Sequence, residues 1–157
     1  MADPQARWVY AVDIALAGPL IENLGEARQI TDAILADPWF KRQWPGLKAI
    51  RIFDGRGTGT SGCYWYGGAT GVSDIRLQKR HMNKRDLLHE IAHACNSAAE
   101  MAQFPERRFP EREDHGPEFL AAYLRLVDRY LGWRMATKMR ELLRDYPVHW
   151  KGKRREP

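Results

Sequence analysis

Residues 87–95, Leu-Leu-His-Glu-Ile-Ala-His-Ala-Cys, constrain this chain more than any other segment. Its two histidines, His89 and His93, are four positions apart, which places them one turn apart on the same face of an α-helix. Both imidazoles can therefore reach one metal ion. Glu90 lies beside the first histidine and can accept a proton from a water molecule held at that ion. The segment predicts a metal-binding helix with His89 and His93 as ligands and Glu90 as catalytic base.

The residues around this motif predict that its helix is buried. A buried histidine or carboxylate without a partner is costly, and a bound metal ion removes most of that cost. The apolar members of the segment are Leu87, Leu88, Ile91, Ala92, Ala94 and Cys95. We therefore expect a metal site here and not an ordinary polar stripe on a surface helix.

A catalytic zinc site needs a third protein ligand and one open position for water. The next histidine after His93 is distant, so the chain must fold back to supply that ligand. His115 is favoured because it directly precedes Gly116-Pro117, which suits the first turn of a helix. Glu100 would share the histidine face of a longer helix, as a ligand or as a hydrogen-bond acceptor for an imidazole. The candidates are His115, Glu100, Asp114 and Glu118.

Two blocks of the sequence resemble the SprT-like zinc metalloproteases. They are residues 88–94, Leu-His-Glu-Ile-Ala-His-Ala, and residues 114–119, Asp-His-Gly-Pro-Glu-Phe. They resemble still more closely a small bacterial metallohydrolase family that shares both blocks. In the SprT-like pattern the histidine of the His-Gly pair is the third zinc ligand. The resemblance therefore implies a zinc ion (Zn²⁺) with Glu90 as catalytic base and with the ligands His89, His93 and His115.

The resemblance extends over about residues 72–131 and implies an α+β fold. That fold is a compact zincin-like domain, with a small mixed sheet packed on the His-Glu helix and additional C-terminal helices. Many SprT-like proteins also carry a cysteine-rich zinc ribbon, whereas this chain has two cysteines in all. Functions that depend on the ribbon, including nucleic-acid targeting, are therefore not implied.

Periodicity along the rest of the chain predicts both strands and helices. Strands are predicted at residues 7–16, 48–53 and 72–78, where β-branched and aromatic residues are frequent. Residues 26–36 have the apolar spacing of an amphipathic helix. These elements, together with the His-Glu helix, predict a mixed α and β architecture.

Capping residues predict the helix boundaries. Asp37-Pro38 is typical of an N-cap followed by proline in the first helical turn. Asn83 is typical of the cap of the His-Glu helix, which we expect at about residues 84–97. A polar loop is predicted at residues 98–114. Two further helices are predicted after Gly116-Pro117 and after Gly132.

Residues 54–71 contain seven glycines, and the run at residues 57–62, Gly-Thr-Gly-Thr-Ser-Gly, formally matches a dinucleotide-binding fingerprint. That fingerprint needs a helix N-terminus directly behind it to receive the phosphates. The residues that follow, Cys-Tyr-Trp-Tyr at 63–66, are typical of a strand instead. The sequence therefore predicts a glycine-rich hairpin or loop, with aromatic side chains that pack on the sheet or line a substrate cleft.

The length of 157 residues predicts one domain at residues 1–150 and a basic, disordered tail at residues 151–157. The tail holds four basic residues and one acidic residue, so most of the formal charge of +5 comes from it. Such a tail is either a solvated end or a contact for nucleic-acid phosphates. A second basic cluster occurs at residues 79–85.

The remaining composition predicts a cytoplasmic protein. No apolar run is long enough to cross a membrane, and the N-terminus lacks the pattern of an export signal. Two cysteines without a Cys-x-x-Cys pair form no disulfide framework. We therefore expect a reducing compartment and no membrane partner.

Three functional hypotheses follow from these features. The leading one is a zinc-dependent hydrolase that cleaves peptide bonds, with the peptide paired along the edge of the strand at residues 72–78. Tyr123 and Tyr64 are guesses for the residue that stabilises the oxyanion. The second hypothesis is a nucleic-acid-associated protein that acts on or near DNA-bound proteins. The third is a catalytically silent, zinc-stabilised binding module.

Overall fold

The computed structural model describes residues 6–16, 18–55, 61–65, 70–78, 82–111 and 115–145. This part of the chain contains six helices and three strands, which confirms the α+β class. The helices are α1 (Ala6–Ala15), α2 (Leu24–Ala36), α3 (Pro38–Gln43), α4 (Lys84–Gln103), α5 (Pro117–Leu131) and α6 (Trp133–Asp145). The strands are β1 (Ala49–Asp54), β2 (Gly62–Trp65) and β3 (Val72–Leu77).

The three strands form one mixed sheet in the order β1-β3-β2. Strands β1 and β3 are parallel, with Ala49 opposite Val72, and β2 is antiparallel to β3, with Trp65 opposite Ser73. The predicted strands at residues 48–53 and 72–78 are therefore confirmed. Because β3 has a neighbour on each side, the prediction that its edge receives a peptide is wrong. Strand β3 is central in the described sheet, and β1 and β2 are its two outer strands.

The predicted strand at residues 7–16 is wrong, since this segment forms helix α1. Val9, Val12 and Leu16 are buried, whereas Tyr10 and Ile14 are exposed. These buried positions are three and four residues apart, which is the repeat of a helix and not of a strand. Packing of this face against the rest of the molecule outweighs the β propensity of its valines.

Helix α4 begins as predicted and ends later than predicted. The Asn83 side chain accepts a hydrogen bond from the backbone N–H of Asp86 at 2.9 Å, which satisfies one of the free N–H groups of the first turn. The helix continues beyond Ser97 to Gln103, because its later turns also contribute buried side chains, among them Ala98 and Met101. The loop predicted from residue 98 therefore begins only at residue 104.

The other predicted caps are confirmed, whereas α2 begins at Leu24, two residues before the start predicted at residue 26. Asp37 caps α3 through its side chain, which accepts from the backbone N–H of Trp39 at 2.8 Å, and Pro38 occupies the first turn. Helix α5 begins at Pro117. Gly132 separates α5 from α6 with a φ of 94°, a conformation that favours glycine.

One hydrophobic core cluster takes residues from all six helices and from strands β1 and β3. Helix α4 lies at its centre, and all six apolar residues predicted to bury the His-Glu segment have no exposed surface. No helix in the described part of the chain is long and apolar enough to cross a membrane. Residues 57–60 of the glycine-rich run and the basic tail lie outside the described residues.

Candidate metal centre

Three imidazoles meet beside helix α4. The Nε2 atom of His89 lies 3.2 Å from Nε2 of His93 and 3.2 Å from Nε2 of His115. Ligand nitrogens that surround a zinc ion tetrahedrally at 2.0–2.1 Å are about 3.4 Å apart. The structure therefore brings together all three histidines that the sequence predicted as ligands, at a separation that suits one metal ion.

The positions of these histidines follow from local structure. His89 and His93 lie one turn apart on α4, as the four-residue spacing requires. His115 directly precedes Gly116, the N-cap residue of α5, and is 5% exposed. Phe119, in the first turn of α5, packs against the rings of both His93 and His115, with centroid distances of 4.3 and 4.9 Å. The packing of α5 on α4 thus sets the position of the third imidazole.

Asp13 of α1 fixes the orientation of His89. Its Oδ2 atom lies 2.8 Å from Nδ1 of His89, and its Oδ1 atom accepts the hydroxyl hydrogen of Tyr123 at 2.7 Å. An ionised carboxylate only accepts hydrogen bonds, so Nδ1 of His89 carries the proton. The lone pair of His89 is then on Nε2, directed at the other two histidines. Metal-binding histidines commonly have a carboxylate partner of this kind.

Arg85 joins the same buried network from the first turn of α4. Its guanidinium donates to the carbonyl oxygen of Leu16 at 2.6 Å, forms an ion pair with Asp86 and lies 3.8 Å from Asp13. Arg85 is 6% exposed and is therefore not a contact for nucleic-acid phosphates, contrary to its place in the predicted basic cluster. Its contacts connect the end of α1 to the start of α4.

The electrostatic environment differs between His93 and His89, because it favours a neutral imidazole at His93 and a protonated one at His89. Burial, together with His89 and His115, holds the pKa of His93 well below its ordinary value. Burial also acts against protonation of His89, but the hydrogen bond and charge of Asp13 outweigh it and raise the pKa. A single lone pair on His89 Nε2 can accept only one of the two neighbouring imidazole N–H groups. One cation among the three Nε2 atoms can satisfy all of them together.

Glu90 lies at the edge of this group and is 5% exposed. Burial raises the pKa of its carboxyl group to about 7, although the neighbouring His89 acts in the opposite direction. A carboxyl group with a pKa near neutrality suits a general base. Glu90 lines the same cleft as His93 and His115, so its position is compatible with the role predicted from the sequence.

The other candidates for the third ligand have different positions. Glu100 is fully buried and accepts hydrogen bonds from the Arg107 guanidinium at 2.7 Å and the backbone N–H of Glu111 at 2.9 Å. It therefore holds the loop between α4 and α5 and is not in the histidine group. Glu118 is exposed on α5. Asp114 lies outside the described residues.

A cleft of about 390 Å³ opens beside the histidines, between α4, strand β2 and the loop after α4. Its described lining includes polar side chains from α4 and aromatic side chains from the other elements. The α4 residues are Glu90, His93, Asn96, Ser97 and Glu100, and the aromatic residues are Tyr10, Tyr64, Trp65 and Phe109. The three-histidine group is thus accessible from one side and closed by the core on the other.

Sequence reasoning missed several residues of this site. Asp13 was not among the residues predicted from the sequence, although a lone acidic residue on the buried face of a helix signals a buried partner. Tyr10 stacks on His89 with a centroid distance of 5.5 Å and an angle of 17° between the rings. The guess that Tyr123 stabilises an oxyanion is wrong, because Tyr123 is 1% exposed and donates to Asp13. Tyr64 does line the cleft.

Neither the buried cysteine of α4 nor the described basic residues belong to the histidine group. Cys95 is fully buried and free, as expected of a small core residue, and burial raises the pKa of its thiol well above the ordinary value. Lys79 and Arg80 lie outside the described residues. The described chain therefore offers the metal three imidazole nitrogens, and no sulfur atom belongs to that group.

The arrangement can hold one metal ion through His89, His93 and His115, beside a buried carboxyl group and an accessible cleft. Comparisons with protein-family models, with curated proteins and with solved structures found no match to this chain.

Proposed function

We propose that this protein is a zinc-dependent hydrolase that cleaves peptide bonds, built on a zincin-like α+β domain. The observation that carries the proposal is the convergence of three Nε2 atoms next to Glu90 at the wall of a cleft. A structural zinc site normally has four protein ligands, whereas a catalytic site has three and an open position. The three-histidine group, open toward the cleft, therefore favours catalysis over a purely structural role.

Zinc is the proposed metal because three neutral imidazole nitrogens suit it, as they suit a few other transition ions. A bound zinc ion would supply a Lewis acid that lowers the pKa of water from 15.7 to about 7 and polarises a carbonyl group. The residues that would hold it are His89, His93 and His115. Asp13 would keep the His89 lone pair directed at the ion through the hydrogen bond to Nδ1.

Glu90 is the proposed general base. Its carboxylate would take a proton from the attacking water and donate that proton to the leaving amine. Without a metal ion, burial raises the pKa of Glu90 to about 7, the range of a group that both accepts and releases a proton. The aromatic wall of the cleft would exclude bulk water from the reacting carbonyl and hold apolar parts of the substrate.

The substrate is proposed to lie along β2 and not along β3. Strand β2 is the outer strand of the sheet on the cleft side, and four of its residues line the cleft. An extended peptide in this cleft would run past the histidines with alternate side chains directed toward the aromatic wall. The position of β2 supports a peptide as the substrate class.

The test of this function compares the wild type with Glu90→Gln, both loaded with zinc. We expect the wild type to cleave members of a proteome-derived peptide library, as detected by mass spectrometry. Glu90→Gln should bind one zinc ion per chain and lose activity by about 10²–10⁴-fold, because general-base catalysis contributes that much. Equal cleavage by the two zinc-loaded proteins would contradict the assignment of Glu90, and a wild type that holds zinc and cleaves no peptide would contradict the proposed activity.

A further inference from the structure

Asn96 has a buried side-chain oxygen without a hydrogen-bond partner. Its Oδ1 atom is unpaired within the described part of the chain, and the residue is 8% exposed. Two other described residues have a buried polar side-chain atom without a hydrogen-bond partner, namely the hydroxyl of Ser73 and Nε of Arg85. Neither of these lines the cleft, whereas Asn96 does. Asn96 is therefore the candidate for a polar residue that gains its hydrogen-bond partner from a ligand in the cleft.

The place of Asn96 on helix α4 links it to the metal centre. It follows His93 by three residues and so continues the polar stripe formed by His89 and His93. With a rise of 1.5 Å per residue, Asn96 lies about 4.5 Å along the helix axis from His93. An extended peptide rises by about 3.3 Å per residue, so this distance corresponds to between one and two peptide residues. A peptide group bound at Asn96 would thus be next to a peptide group bound at the three histidines.

An unpaired buried acceptor costs stability, because it has lost its water without gaining another partner. Ala92 lies one turn before Asn96 on α4 and is fully buried and apolar. An apolar residue at position 96 would remove this cost. The presence of an amide at position 96 is explained if a ligand supplies a hydrogen-bond donor to its oxygen, because that bond offsets the cost.

The lining of the cleft indicates the kind of molecule that brings this donor. Tyr64 and Phe109 are among the residues of the cleft wall, and 53% and 52% of their surfaces are exposed. The described lining includes the carboxyl groups of Glu90 and Glu100 and has no lysine or arginine. Arg76 and Arg108 lie near this wall, each 5.4 Å from the centre of an aromatic ring, Tyr64 or Phe109. Such a wall suits large apolar groups better than the phosphates of a nucleic acid.

We propose that Asn96 accepts a hydrogen bond from a backbone N–H of an extended peptide, adjacent to the bond held at the metal centre. The peptide places a large apolar side chain against Phe109 at the cleft wall. This inference rests on the proposed peptidase function and names its substrate class and a positioning residue. Asn96 orients the substrate and takes no part in the proton transfers.

The experiment uses zinc-loaded wild type, Asn96→Leu and Asn96→Asp, with a peptide selected by the wild type from the proteome-derived library. Leucine has a similar size and no acceptor, whereas aspartate keeps Oδ1 and is the matched control. We expect Asn96→Leu to raise KM about tenfold with little change in kcat, the effect of one lost hydrogen bond. Asn96→Asp should retain most of the wild-type KM. Asn96→Leu should keep its zinc and unfold at the wild-type temperature or higher.

A second probe identifies the donor on the peptide. Ester analogues of the selected peptide replace one backbone N–H at a time by oxygen, near the cleaved bond. One ester should raise the wild-type KM about tenfold and leave the KM of Asn96→Leu unchanged, because that variant has already lost the acceptor. Peptides that carry alanine in place of the large apolar residue should also bind more weakly to the wild type.

The outcomes separate this inference from the proposed function. A peptide cleaved equally well by wild type and Asn96→Leu would overturn the role of Asn96 and leave the peptidase function standing. A clear fall in the unfolding temperature of Asn96→Leu would show that Asn96 is a structural residue and would also overturn the inference. A zinc-loaded wild type that neither cleaves nor binds the library would overturn both.

Discussion

At the scale of single residues, the hydrogen bond between Asp13 and His89 organises the candidate site. It fixes the proton on Nδ1 of His89, and Tyr123 holds the second oxygen of the same carboxylate. Tyr123 remains a neutral donor, because burial and the charge of Asp13 raise the pKa of its hydroxyl group well above the ordinary value. The sequence identified the three histidines and not their support, because Asp13 lies 76 positions from its partner in the chain.

Asp13→Asn should weaken zinc binding about 10–100-fold, the usual effect of removing such a partner of a metal-binding histidine. An amide can direct its NH₂ group at Nδ1 and favour the wrong tautomer of His89. Competition with a fluorescent chelator measures the affinity. The matched control is Asp32→Asn, an exposed position on α2 that should have no effect. An Asp13→Asn protein with wild-type affinity would refute the role of this hydrogen bond.

Zinc affinity should fall as the pH is lowered through the pKa of His89. The proton and the metal compete for Nε2, and Asp13 raises the pKa of His89 above its ordinary value of 6.5. The loss should therefore begin above pH 6.5 and grow as the pH falls. In Asp13→Asn the pKa of His89 should be lower, so the decrease in zinc affinity should occur at a lower pH than in the wild type. Chelator titrations at several pH values test this, and an unchanged pH profile in the variant would contradict it.

At the scale of secondary-structure elements, the local signals of the sequence were reliable and the long-range ones were not. The caps Asn83 and Asp37 were predicted correctly, because a cap bonds to residues two or three positions away. The segment at residues 7–16 was predicted as a strand because its β-branched residues favour strands. Its apolar spacing also fits the helical repeat, and the burial of Val9 and Val12 shows that the helical repeat applies. The end of α4 was also missed, because it depends on the burial of Ala98 and Met101 and on partners of Glu100 in the next loop.

Glu100→Gln should loosen the loop that leads from α4 to His115. The amide keeps an acceptor for the backbone N–H of Glu111 and loses the charge that pairs with Arg107. We expect a loss of about 1–3 kcal/mol in the free energy of unfolding of the zinc-free protein, since the bond joins a charged pair with one buried member. Urea denaturation measures this free energy.

The control for this prediction is Glu106→Gln, an exposed position in the same loop, which should unfold like the wild type. If Glu100→Gln and Glu106→Gln have the same stability, the buried carboxylate of Glu100 does not anchor the loop. Zinc affinity should fall in Glu100→Gln and not in Glu106→Gln, because the same loop delivers the third imidazole.

At the scale of the whole molecule, the candidate site is assembled from segments that are distant in the sequence. Helix α1 supplies Asp13 and Tyr10, α4 supplies two histidines and Glu90, and the turn before α5 supplies His115. The sheet adds the aromatic residues of β2 to the cleft wall. Sequence patterns predicted the two blocks that supply the three histidines, whereas the cleft and the strand order depend on how all the elements pack. The α+β fold thus places an open three-histidine group at the edge of a continuous core.

The proposed function requires that three imidazoles, and no other side chain, hold one zinc ion. Zinc K-edge X-ray absorption on stoichiometrically loaded protein tests it most directly. We expect one zinc per chain, with three histidine nitrogens at 2.0–2.1 Å and a fourth light ligand from solvent in both wild type and Glu90→Gln. His115→Ala should show one histidine fewer. A sulfur ligand at about 2.3 Å, or a protein that retains no stoichiometric zinc, would contradict the account.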